Sequence, residues 1–249
     1  MHGHLHMEIN LATNGRPSID EIQIFPRVGT LYQLEGPGNS GKSMREFAEA
    51  WTAITLMDGE YVHWIDGACR FNPARIISNF PHTLPDAEKL LHGLFVGRGF
   101  TVHQFSNLIE RLQTEIKITR AKLVVIDGPI SMHLDSQIND YEARSLFRRS
   151  MDKLAEVAKN NNTRVVVITS SISYSKRHSS LLTMVKNRRH ASLLGKIKKI
   201  QGKKRMWLLH LPTRLSGYRE IRVRQENLYE SIRRVINSRL STEGFEEIE

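Results

Sequence analysis

Gly36, Pro37, Gly38, Asn39, Ser40, Gly41, Lys42 and Ser43 fit the pattern G-x-x-x-x-G-K-[ST] at every fixed position. Residues of these types at this spacing make a cradle for phosphate. The glycines leave main-chain N–H groups uncovered so that they close around phosphate oxygens, Lys42 reaches the outer phosphates, and the Ser43 hydroxyl is suited to ligate Mg2+. The ligand this implies is a nucleotide, ATP with Mg2+. A second group with chemistry is Asp127, which ends the apolar run AKLVVID over residues 121–127 and is suited to hold Mg2+ through water.

The elements that must position these groups follow from hydrophobic periodicity. Leu31, Tyr32 and Leu34 form a short apolar run before the glycines, and Phe47, Ala50, Trp51 and Ile54 recur at helical spacing after them. The cradle is thus expected between a strand and a helix spanning residues 44–57. Further strands are expected at 60–66 (EYVHWID), 93–96, 121–127, 164–169 (RVVVIT), 206–211 (MWLLHL) and 219–224. Helices are expected at 71–80 after Pro73, at 103–119, and at 141–159, where Ala143, Leu146, Phe147, Met151, Leu154, Ala155 and Ala158 face inward. Strands alternating with helices predict an α/β fold, with a central, mostly parallel sheet and helices on both faces.

The chain has 249 residues and 40% hydrophobic content, enough for one large domain. No apolar run approaches the ~20 residues of a membrane-spanning helix, so no membrane association is expected and a cytoplasmic setting is. Cys69 is the only cysteine, which excludes an internal disulfide. His2, His4 and His6 read as part of a flexible lead-in over residues 1–15 rather than a metal site. Net charge is +10, and it is local: residues 157–219 hold fifteen Lys and Arg and no Asp or Glu. Within it, residues 173–206 read as a basic loop region able to neutralise nucleic-acid phosphate through Lys176, Arg177, Lys186, Arg188, Arg189, Lys196, Lys198, Lys199, Lys203, Lys204 and Arg205. Leu181, Leu182, Leu193 and Leu194 suggest a short helix there. Tyr174 is the only aromatic between Ser173 and Met206, so little base stacking is expected.

Taken together, these segments resemble the core of RecA-type recombinases, nearest the archaeal RadA and RadB branch, with KaiC-like ATPases as the next neighbour. The resemblance runs over residues 16–249. Ser18-Ile19-Asp20 is similar to that branch's lead-in, and Trp64-Ile65-Asp66 through Phe71, Pro73 and Arg75 resembles the segment bearing its catalytic glutamate and adenine-stacking arginine. Residues 121–127, the helix after them, residues 164–171 and the closing STEGFEEIE also match. The resemblance implies a P-loop NTPase of RecA type, with Arg75 against adenine and Ser43 and Asp127 holding Mg2+. It also implies DNA, mainly single-stranded, on the basic region, a nucleoid-associated location, and a RadA-type recombinase or other RecA-family subunits as partners. The helical DNA-binding domain that precedes the core in full-length recombinases has no room here, as in RadB-like paralogues.

Two departures qualify the activity this implies. The family's water-activating glutamate falls on Ala68, which cannot accept a proton, and its phosphate-sensing glutamine falls on Ser170 and Ser171, which are too short. Glu35 and Asp66 remain as substitute bases. The first DNA-contacting loop, residues 128–138 (GPISMHLDSQI), has neither Lys nor Arg. The expected function is therefore that of a paralogue that binds ATP and DNA and assists homologous recombination, with weak or absent hydrolysis and ATP shifting conformation at a subunit interface. The alternatives are an active ATPase with another base, and a regulatory protein whose basic run meets RNA or an acidic partner.

Overall fold

The apolar runs form the middle of one sheet. The computed structural model describes residues 24–81, 84, 86–200 and 202–220. The Ser18-Ile19-Asp20 lead-in, the N-terminal histidines, the end of the 219–224 strand and the STEGFEEIE terminus lie outside the described residues.

Eight strands pair in the order β3-β2-β4-β5-β1-β6-β7-β8: β1 (Leu31–Gly36), β2 (Val62–Asp66), β3 (Leu94–Arg98), β4 (Leu123–Asp127), β5 (Arg164–Ser170), β6 (Ala191–Ile200), β7 (Lys203–Leu211) and β8 (Ser216–Glu220). The first six run parallel, β7 turns back antiparallel to β6, and β8 turns again antiparallel to β7. β1, β2 and β4 are buried along their whole length, as parallel strands covered on both faces must be.

Successive residues of β1, β2, β4 and β5 feed two cores on opposite faces. Tyr32, Leu34, Trp64, Val125 and Val166 pack with Phe47, Ala48 and Trp51 of α1 (Arg45–Met57) and Ile76 of α2 (Pro73–Ile77). Leu31, Ile65, Val124, Val165 and Val167 pack with α4 (Val102–Thr119), α5 (Asp140–Asn160) and α6 (Lys176–Lys186). A short helix, α3 (Ala87–Leu90), leads into β3. Helix starts carry side-chain caps where the chain supplies them. Thr101 accepts from Gln104 N–H (3.2 Å), Asn139 from Glu142 N–H (2.9 Å) and Ser175 from His178 N–H (3.1 Å). No helix among the described residues is long and apolar enough to cross a membrane.

The basic region departs from the expected loop. Its first part is helix α6, which buries Leu181 and Leu182, and its second part is the hairpin of β6 and β7, which turns through Gly202 at φ 77°. Leu193 and Leu194 are strand residues, paired with Leu34 and Glu35 of β1. Residues 196–199 are exposed on both faces of the strand, Ile197 included, so KIKKIQGKK carries no period-two alternation and the strand reads as a charge run.

Candidate functional site

The cradle sits where β1 ends. Gly36 closes β1, and a Cβ on it would overlap the Met44 side chain. Asn39–Met44 forms a 3-10 turn into α1 in which Gly38, Ser40 and Gly41 adopt φ of 87°, 52° and 72°. Gly41 is required twice: its backbone is left-handed, and a Cβ would overlap the Thr169 carbonyl oxygen of β5. Gly41 N–H donates to Gly38 C=O at 3.1 Å and Ser43 N–H to Pro37 C=O at 3.4 Å, closing the loop on itself. Two neighbours brace it from outside. Ser40 Oγ lies 2.5 Å from Ser131 Oγ, and Arg70 donates to the Asn39 carbonyl at 3.0 Å. Lys42 is exposed, and α1 starts without a side-chain cap, so its first N–H groups are not taken by a capping residue.

A cleft of about 380 Å3 opens beside the loop, lined by Ser40, Ala68, Arg70, Gly128, Ser131 and Thr169 among others. It lies at the carboxyl ends of β2, β4 and β5, the edge where open parallel sheets take ligands. Ala68 is in its wall, and a Cβ on Gly128 would stand 2.7 Å from the Ala68 Cβ. Ser170 turns its hydroxyl into its own chain, donating to Ile172 C=O at 2.8 Å.

Two strand-end acids stand side by side, since Asp66 and Asp127 are register partners. Both are fully buried, and each has its own guanidinium. Arg45 grips Asp127 with two bonds, Nε to Oδ2 at 2.5 Å and Nη2 to Oδ1 at 2.9 Å. Burial pushes the Asp127 carboxyl above its usual range, while the hydrogen bond and charge of Arg45 pull it down. Burial works against the Arg45 charge, yet Asp127, with Glu49 and Asp66, more than offsets it and holds Arg45 above its ordinary value. Asp66 organises the loop after β2. It accepts N–H groups from Ala68 (3.2 Å), Arg70 (3.1 Å) and Phe71 (2.9 Å), and Arg98 bonds it at 3.1 Å.

The Mg2+ expectation can be tested against this donor set. Both Asp127 oxygens are engaged by Arg45, and Ser43 Oγ donates to Pro37 C=O at 2.7 Å. Among the described residues no three His, Cys, Asp or Glu side chains gather in a metal-binding group. Ser43 Oγ keeps its lone pairs, but the buried Asp127 carboxylate, with both oxygens on Arg45, does not fit the ion or its waters.

Glu35 and Arg75 are also engaged. Glu35 faces α6 and takes Lys186 and Arg189, each at 3.1 Å. Arg75 reaches Glu49 of α1 at 3.7 Å. Burial pushes the Glu49 carboxyl up to about 7, with Arg75 and Arg45 pulling it back. Arg45, Glu49 and Arg98 were not anticipated. A signal for two of them exists: Arg45, Glu49 and Thr52 are a polar stripe at helical spacing on a helix whose other residues are largely apolar.

The cations of the basic region divide into two sets. Around α6 they turn inward. Arg177 bonds Asp140 at 2.5 Å and the Asp135 and Ile138 carbonyls at 2.8 and 2.9 Å, Arg188 bonds Asp152 at 2.6 Å, and Lys186 and Arg189 hold Glu35. On the hairpin they turn outward. Lys196, Lys198, Lys199, Lys203 and Lys204 are exposed, as is Lys176 at the start of α6. β1 pairs with β6 only as far as Leu194, so residues 195–200 run on beyond the cradle, about 20 Å at strand rise. Lys198 lies over the Trp207 ring at 4.7 Å and over Tyr218 at 5.9 Å. Pairing with β7 and β8 brings these two rings beside the segment from just outside it. The base of the hairpin touches the cradle: a Cβ on Gly195 would overlap Met44 Sδ, and Met44 is also packed on Gly36.

In comparisons with protein-family models and with curated proteins, the chain matches none.

Proposed function

We propose that this chain is a RecA-type P-loop core that binds ATP and single-stranded DNA and assists homologous recombination, with weak or absent hydrolysis. The observation that carries the reading is the adjacency of two polyanion-binding features. A glycine-bent cradle ends β1, and a lysine hairpin springs from the neighbouring strand β6, with Met44 wedged between Gly36 and Gly195. Phosphate in the cradle and DNA on the hairpin then bear on one packed contact, which suits a ligand that shifts conformation rather than driving turnover. Ala68 in the cleft wall supports slow hydrolysis, because no proton acceptor stands at that position. Subunits of the RadA or RecA type are the partners this reading implies.

Fluorescence anisotropy with labelled single strands across a salt series tests the DNA half. Affinity should fall steeply, with a log–log slope of about −3 for four or five lysine contacts at ~0.7 per phosphate. A slope near zero, or preference for duplex RNA or an acidic peptide, removes it. Phosphate release should stay at background with and without single-stranded DNA, whereas rapid DNA-stimulated turnover would make the chain an active ATPase.

A further inference from the structure

We propose that the cradle takes nucleotide phosphates without a divalent cation, because Arg45 already neutralises the charge that Asp127 would otherwise offer to a metal. The inference rests on the phosphate-binding reading above and narrows it to the metal-free anion.

Arg45 is the first residue of α1, two positions after Ser43, so the turn of chain that shapes the cradle also delivers the guanidinium to β4. The two side chains are 2% and 0% exposed, and both carboxylate oxygens are bonded. Mg2+ demands six oxygens in near-octahedral array and keeps several of its waters. A carboxylate that is fully buried and neutralised by a two-bond guanidinium offers an ion or its waters neither an accessible oxygen nor net charge, and the guanidinium, which does not lose its proton, repels a second cation beside it. Asp66, the adjacent acid, is closed in the same way by three main-chain N–H groups and Arg98. Positive charge for the phosphates is instead available from the protein, in exposed Lys42 and in Arg70 on the cleft wall.

Calorimetric titration of the whole chain with ATP, once in EDTA and once in excess MgCl2, tests this directly. Affinity should be no tighter with Mg2+ than without it, to within about threefold. Binding at least about tenfold tighter with Mg2+, or seen only with it, overturns the metal-free proposal and leaves the phosphate cradle standing. Absence of binding in both buffers removes both. Two variants add to the result. Arg45→Lys keeps a cation on Asp127 and should remain indifferent to Mg2+. Arg45→Met, first shown to be folded by a thermal melt, uncovers Asp127 and should gain about tenfold or more from Mg2+. A folded Arg45→Met that stays indifferent overturns the role given to Arg45; if it does not fold, the wild-type pair of titrations decides alone.

Discussion

The sheet edge under the cradle and the β6–β7 hairpin both concentrate charge, and they use it in opposite ways. Under the cradle, Asp127 and Asp66 are fully buried and each is closed by a guanidinium, while Glu49 is buried against Arg75. On the hairpin, five lysines stand exposed, and two of them, Lys196 and Lys198, lie over the Trp207 and Tyr218 rings. The cations around α6 are paired with acids as in the first group, though Asp140 and Asp152 remain exposed, and they share a sequence segment with the second. Buried pairs hold the fold in one arrangement and punish the loss of either partner; exposed like charges contribute little to folding and are available to an anion. The difference teaches that a stretch without acids in sequence is not without them in space, since Glu35, Asp140 and Asp152 come to α6 from elsewhere in the chain.

Breaking the buried side should have the largest effect. Arg45→Met leaves Asp127 as an uncompensated buried charge, and urea unfolding should show a loss of about 3–5 kcal/mol. Next comes Glu49. Its folded value of about 7 lies above the ordinary 4.5, so its contribution is complete below pH 4.5 and is lost as pH rises through 7. At about 1.4 kcal/mol per unit, this one group should weaken the fold by on the order of 3 kcal/mol across that window. Glu49→Gln should flatten that part of a pH series of urea midpoints and be the more stable protein at pH 8. An unchanged slope would mean that Arg75 and Arg45 keep Glu49 ionised.

Arg177→Ala sharpens the line between the two sets within the basic segment. It frees Asp140 and the carbonyls of Asp135 and Ile138, so a thermal or urea melt should show a loss of about 2 kcal/mol, with DNA affinity nearly unaltered. Lys198→Ala should do the reverse. Stability should stay within about 0.5 kcal/mol, while the salt slope of single-strand binding should shrink by about one. Like behaviour of the two variants in both assays would mean that the α6 and hairpin cations do not differ in role.

Much of the parallel half was legible in the sequence because its strands are unbroken apolar runs and its helices have clear faces. The helix expected at 103–119 is Val102–Thr119, and the one expected at 141–159 is Asp140–Asn160. The glycine-bent loop lies between strand and helix as its flanks require. The hairpin was not legible, since its far end is exposed on both faces and shows no alternation, and only Gly202 marks its turn. Nor were the partners of Asp127 and Asp66, because Arg45 and Arg98 are brought to them by crossovers between strands that are distant in sequence.

The central claim is that main-chain amides of residues 36–43 and Lys42 hold a nucleotide. It is tested most directly by equilibrium binding of ATP to the wild type and to Lys42→Ala, in matched buffer. The account predicts saturable one-to-one binding by the wild type and a loss of at least about tenfold, or 1.4 kcal/mol, in the variant. Equal affinity in the two proteins, or no binding by either, would contradict it.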